Sequence, residues 1–167
     1  APKQSVKILS TFHKKSPRYL LDLACGTGLF AEEFLKAFPS CICDGSDISP
    51  KIMDISKNKK IYRKLFQSNF EKKIKVKSKY NIVSLIGAMT YCKDHQKLFN
   101  NVSSYLVDKG YFIFTQRVDL WEKFDFDNII KDNSQFQLLY KSRPLNYLPK
   151  NKDFTSKIKI RIVLLTK

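Results

Sequence analysis

Two carboxylates and a pair of glycines hold the chemistry that this sequence can do. Asp22 lies near the end of the apolar run Tyr19-Leu20-Leu21-Asp22-Leu23, and Ala24-Cys25-Gly26-Thr27-Gly28 follows directly. That order is a buried strand, a tight turn, and a helix start at Leu29-Phe30. Glycine serves in such a turn because a Cβ would block a ligand and because it tolerates positive φ. A carboxylate at Asp22 is poised to receive a cationic or hydrogen-bond-donating group of whatever sits on Gly26 and Gly28. One strand–helix–strand unit later, Gly45-Ser46-Asp47-Ile48-Ser49-Pro50 closes a second strand and opens another helix. Asp47 offers two acceptor oxygens to two adjacent hydroxyls, an arrangement that suits a ribose diol.

The first of these motifs resembles the class I S-adenosylmethionine (SAM)-dependent methyltransferases, whose opening motif reads acid-Leu-Gly-Cys-Gly-Thr-Gly. Ala24 stands where that family has its first glycine. The second motif sits at the family's distance and puts Asp47 where its ribose-binding acid falls. Gly26-x-Gly28-x-x-Ala31 also satisfies the dinucleotide fingerprint, with an acid about twenty residues on. Three features oppose a nicotinamide cofactor. The strand ends in Asp-Leu-Ala-Cys rather than running into the first glycine. A carboxylate at Asp22 would repel pyrophosphate, but not the ammonium of SAM. A chain of 167 residues leaves no room for a second mononucleotide half plus a substrate domain.

The elements that must position these groups alternate helix and strand. An amphipathic helix carries Val6, Leu9 and Phe12. Strands follow at Tyr19–Leu23, Cys41–Ser46, Lys64–Gln67, Tyr80–Ile86, Tyr111–Gln116, Phe136–Lys141 and Ile158–Leu165. Helices are expected at Leu29–Phe38, from Ser49-Pro50, at His95–Leu106 and around Phe124–Lys131. Ser49 caps its helix and Pro50 takes the first helical position. The resemblance implies an α/β fold with a single doubly wound, mostly parallel seven-stranded sheet, in order 3-2-1-4-5-7-6 with the last strand antiparallel. Ligands in such sheets lie at the carboxyl ends of the strands, which gathers Ala24–Gly28, Asp47, Asn69 and Gly87 on one rim.

The resemblance assigns cofactor contacts to Asp22, Ala24, Cys25, Gly26, Thr27, Gly28, Asp47, Ile48, Asn69, Phe70 and Gly87. Asp22 bears on the methionine ammonium, directly or through water, and Ile48 covers one face of the adenine. Asn69 replaces the family's Asp. Its carbonyl can accept from the adenine amino group, and its amide can donate to a ring nitrogen. Phe70 either stacks on the base or belongs to the core. Gly87-Ala88-Met89 resembles the short Gly-Ala-Leu stretch of some small members of the family, whose backbone faces the sulfonium, and the chain as a whole is most similar in flavour to the small type-11/12 group. For catalysis the candidates are Tyr91 at the substrate entrance, His95 as a general base near neutral pH, and Arg117 for an anionic substrate group. Tyr91 and His95 have plainer readings, as a buried tyrosine and an exposed helix-start histidine.

Composition bounds the rest. At 43% hydrophobic, the 167 residues make one globular domain, 1–167, with a real core. The chain lacks an apolar run of about eighteen residues, so no transmembrane helix is expected, and Ala1–Ser10 lacks the apolar centre of a signal peptide. Without an initiator Met, the chain reads as processed, trimmed or excerpted. Few residues precede Tyr19, so a substrate lid is either short or absent from it. Cys25, Cys41, Cys43 and Cys92 form no C-x-x-C pair and, with His13 and His95, complete no zinc spacing. They read as reduced packing cysteines of a cytoplasmic protein, with no metal.

The net charge is +16, concentrated in Lys51–Lys79 and in Lys141, Arg143, Lys150, Lys152, Lys157, Lys159 and Arg161. A phosphate-tracking face is one reading. A lysine-rich composition, poor in the arginine that phosphate recognition favours, is the other. No Asn/Asp-Pro-Pro-aromatic run follows the fourth strand, and no Pro-Cys or Thr-Cys nucleophile motif exists. The sequence therefore reads as an enzyme that transfers methyl from SAM to an O, N or S atom of a small-molecule acceptor. The alternatives are an RNA or protein methyltransferase using the basic face, or a non-catalytic SAM-binding module.

Overall fold

The computed structural model describes residues 1–13, 15–147 and 158–167. Helix α1 (Pro2–Phe12) leads into β1 (Tyr19–Leu23), α2 (Leu29–Ala37), β2 (Ile42–Asp47), α3 (Pro50–Asn58) and β3 (Lys64–Gln67). Then come β4 (Tyr80–Leu85), a 3-10 turn (Met89–Tyr91), α4 (His95–Tyr105) and β5 (Leu106–Arg117). Short helices α5 (Val118–Lys123) and α6 (Phe126–Lys131) precede β6 (Gln137–Lys141), β7 (Leu145–Asn146) and β8 (Lys159–Thr166).

The sheet order is β3-β2-β1-β4-β5-β8-β6. Strands β3, β2, β1, β4 and β5 pair in parallel, and β8 runs antiparallel between β5 and β6. The expected topology holds, with β8 as the expected seventh strand. The two-residue β7 on β8 is additional, being too short to leave a period-two signal.

Alternation along the strands builds two cores. Leu20, Ile82, Ile113 and Ile162 face Val6, Leu9, Phe30 and Phe34 of α1 and α2. Leu21, Leu23, Val83, Phe112 and Phe114 face Leu98, Phe99, Trp121 and Phe126 on the other side. Each such side chain stabilises the fold by roughly 1.5–3 kcal/mol on burial. Cys41 and Cys43 lie on the first of these faces, as their spacing predicts.

Two expected elements differ. The helix expected around Phe124–Lys131 is α6, beginning at Phe126 after Asp125 at φ 52°, and a second short helix, α5, precedes it where none was expected. A left-handed residue breaks the i→i−4 ladder, and the break lets Trp121 and Phe126 stack with centroids 5.1 Å apart. Strand β5 begins at Leu106 rather than Tyr111, because Lys109-Gly110 forms an irregularity within it. There the register against β4 shifts, with Lys109 at φ 60°.

At the amino ends of the strands, buried Asp44 accepts two hydrogen bonds from Arg63, at 3.0 and 2.6 Å, and one from Tyr80 at 2.8 Å. This network ties β2 to β4 below the functional rim.

Candidate functional site

The carboxyl ends of β1, β2, β3 and β4 form one rim. Residues 24–28 turn from β1 into α2 with Ala24, Gly26 and Gly28 at φ 50°, 56° and 86°. Ala24 thus adopts the left-handed conformation that suits glycine. A Cβ on Gly26 would meet nothing within 4 Å, so that turn opens onto free space. A Cβ on Gly28 would lie 2.6 Å from Ile61 Cδ1. Cys25 is buried with its amide bonded to the Ser46 carbonyl at 2.9 Å. Burial pushes its thiol up to about 12, so it is packing rather than a nucleophile. Thr27 is half-buried on the turn.

Asp47 binds this turn to the next element. Its Oδ2 accepts the Gly26 amide and its Oδ1 the Ser49 amide, both at 2.9 Å. Each oxygen keeps a further lone pair for a ligand hydroxyl. Ile48 beside it is 65% exposed, an apolar surface at the rim. The Ser68 amide bonds to the Asp47 carbonyl at 3.0 Å and carries Asn69 to the same place.

Asn69 Oδ1 accepts the Glu71 amide at 2.9 Å. An amide donor must meet the oxygen, so the orientation is fixed and the NH2 is left to face a ligand. Both expected modes fit this geometry: the NH2 can donate, and the carbonyl oxygen keeps a second lone pair beside the one that serves the turn. Phe70 is half-buried and packs against the second core.

Asp22 is buried among neutral hydroxyls. Tyr62 Oη donates to its Oδ2 and Ser84 Oγ to its Oδ1, both at 2.7 Å. Burial pushes its carboxyl up to about 6, the two hydroxyls oppose that rise, and the Asp47 charge adds to it. Among the described residues no basic side chain offsets the ionised form, which a cation arriving at the rim would favour.

Neither Tyr62 nor Ser84 was among the expected site residues. Ser84 had a signal, a lone hydroxyl in the apolar run Ile82–Ile86, and it pairs with Asp22 across β1 and β4. Tyr62 had none, because its contact spans forty positions and depends on how α3 returns to the sheet.

Gly87 stands at the end of β4 with φ 88°. Its amide donates to Thr115 Oγ1 at 2.8 Å, and the Tyr147 hydroxyl lies 3.4 Å from where its Cβ would be. The catalytic candidates take different positions. Tyr91 is 72% exposed, so the buried reading does not hold. Arg117 is bonded to Asp119 through two nitrogens, at 3.0 and 2.6 Å. His95 packs edge-on to Phe126 at 4.7 Å, and burial lowers its pKa. It starts α4 as expected, but its ring is part-buried wall rather than exposed. Among the described residues no His, Cys, Asp and Glu cluster could hold a metal, and no helix is long and apolar enough to cross a membrane.

Comparison with known proteins decides the family. A family model described as "Methyltransferase domain" matches residues 3–145. This chain belongs to the methyltransferases. It is 30% identical over 112 residues to malonyl-[acyl-carrier protein] O-methyltransferase 1 of Ilyobacter polytropus, covering 62% of this chain and 40% of that protein. The corresponding enzyme of Halalkalibacterium halodurans is 26% identical over 150 residues, covering 82% and 53%. The chain thus spans about half the length, or less, of the curated relatives it matches.

Among solved structures, plantazolicin methyltransferase BpumL, in complex with a pentazolic desmethylPZN analog and SAH, superposes with a TM-score of 0.76. The identity is 13%, over 99% of this chain and 82% of that one. The N-methyltransferase NodS of Bradyrhizobium japonicum WM9, in complex with S-adenosyl-L-homocysteine, gives 0.76 at 10% identity, over 99% and 85%. At these identities the likeness establishes a shared fold, which is the Rossmann-like sheet that the motifs imply.

Proposed function

We propose that this methyltransferase binds SAM along the carboxyl ends of β1–β4 and methylates an O, N or S atom of a small-molecule acceptor. The Asp47 bridge carries the reading: it holds the open glycine turn against the start of α3, joining two groups that a nucleoside-bearing cofactor needs on one rim. Asp22 would favour the cofactor's positive charge, Asp47 the ribose hydroxyls, exposed Ile48 one face of the adenine, and the Asn69 NH2 a ring nitrogen. Backbone at Gly87 would border the transferred group. SAM would supply a methyl group already activated by its positive sulfur. Alignment and dehydration of the acceptor atom are then the protein's main tasks, and a strong base is unnecessary.

A small-molecule acceptor is supported by the plantazolicin methyltransferase BpumL, in complex with a pentazolic desmethylPZN analog, and a malonyl-[acyl-carrier protein] O-methyltransferase adds a small group borne on a carrier protein. The test is transfer of labelled methyl from SAM into a cell extract fractionated by mass. Label in low-mass products is expected. Label confined to RNA, or to protein side chains rather than a carrier-borne acyl group, would overturn the small-molecule assignment, and absence of label would overturn catalysis.

A further inference from the structure

At the end of β5, two cross-strand neighbours each bury a donor that has no acceptor among the described residues. Gln116 is 1% exposed. Its Oε1 accepts the Arg117 amide at 2.9 Å and the Thr90 hydroxyl at 3.3 Å. Rotating the amide by half a turn would set NH2 against the Arg117 N–H, so the orientation is fixed. Its Nε2 has no hydrogen-bond partner among the described residues. Directly opposite on β8 lies Arg161, whose Nη1 donates to the Ser142 carbonyl at 2.8 Å. The Arg161 Nε is also buried without a partner.

Buried polar groups are nearly always paired, and an unpaired one calls for an explanation. Amide and guanidinium N–H groups cannot satisfy each other, since neither accepts. What would satisfy both is an oxygen with lone pairs, best a negative one beside an arginine. The neighbouring carboxylates are otherwise engaged: Asp119 by Arg117, and Asp127 by Lys141 and Trp121. The place is also right. Residue 115 hydrogen-bonds Gly87, so Gln116 follows directly on the strand end that borders the proposed methyl-transfer position. Resting on the function proposed above, we infer that Gln116 and Arg161 clamp a carboxylate of the methyl acceptor. The clamped carboxylate is an anchor and not the methylated atom, because donated hydrogen bonds reduce its nucleophilicity.

The test needs no cofactor. Acetate, the smallest carboxylate probe, is titrated into the ¹⁵N-labelled protein while the Gln116 Nε2 and Arg161 Nε signals are followed. Acetamide and equimolar chloride serve as controls. Saturable millimolar shifts of both signals with acetate alone are expected. Absence of a saturable shift, or equal response to acetamide, would overturn the inference and leave a buried water as the partner. Gln116→Glu keeps the acceptor for Arg117 and Thr90 and places its own oxygen opposite Arg161. It should retain the wild-type melting temperature and bind acetate at least tenfold more weakly. Undiminished acetate binding in that variant would equally refute the clamp. Binding of S-adenosylhomocysteine is read separately by calorimetry. Its failure would count against the methyltransferase reading, whereas failure of acetate alone would count against the clamp.

Discussion

Replacing Asp22 with Asn should remove the pH dependence of cofactor binding. In the folded protein the Asp22 carboxyl titrates near 6, against 3.8 for the free side chain, because it is buried among hydroxyls. The displacement corresponds to roughly 3 kcal/mol of preference for the neutral form. The raised value means that this group's contribution to stability is fully present below about pH 4 and is lost as pH rises through about 6. Binding of a cation has the opposite sign, since it favours the ionised carboxylate. At pH 7 about nine in ten Asp22 side chains are ionised, and at pH 5 about one in ten. SAM should therefore bind about tenfold more weakly at pH 5 than at pH 7, and binding at pH 5–6 should release a proton. Calorimetry in buffers of different ionisation enthalpy measures both quantities. Asp22→Asn should bind more weakly at pH 7 and show an affinity flat to within about twofold over this range. A wild-type affinity independent of pH, or the same slope in the variant, would refute the reasoning.

Other outcomes follow from the same geometry. Asp47→Ala strips the acceptor from the Gly26 and Ser49 amides and should weaken SAM by about 1–3 kcal/mol, measured by titration; unchanged affinity would remove Asp47 from the site. Ala24→Gly should raise stability by about 0.5–1 kcal/mol in denaturant unfolding, because φ at this position is 50° and a Cβ is strained there. Gly28→Ala should lower the melting temperature by about 2–6 °C through the same strain at φ 86°, since Ile61 Cδ1 can move aside. Arg63→Met leaves the buried Asp44 charge with only Tyr80 and should cost roughly 2–4 kcal/mol of unfolding free energy without changing SAM affinity.

Much of this was legible in sequence because the fold repeats a local grammar. Apolar runs ending in small or acidic residues fixed β1 and β2 to within a residue, and Ser49-Pro50 marked the start of α3. Asp22, Gly26, Gly28, Asp47 and Asn69 meet on one rim because parallel strands put their carboxyl ends on one side. What remained hidden is non-local. Tyr62 reaches Asp22, and Gln116 opposes Arg161, only through sheet register and the return of distant segments. The irregularity at Lys109-Gly110 and the break at Asp125 depend on single left-handed residues that are not glycine, which sequence patterns do not announce. His95 shows a further limit: its residue type suggests acid–base work, but its neighbours Phe124 and Phe126 make it part of a wall. Lys150, Lys152 and Lys157 of the second basic stretch lie outside the described residues.

The central claim is that the rim built by Asp22, Gly26, Gly28 and Asp47 is a SAM site. Calorimetric titration of the purified chain with SAM, S-adenosylhomocysteine and NAD tests it most directly. Micromolar binding of the first two at pH 7, with no heat from NAD, is the predicted result. Binding of NAD, or silence from both SAM and its demethylated product, would contradict it.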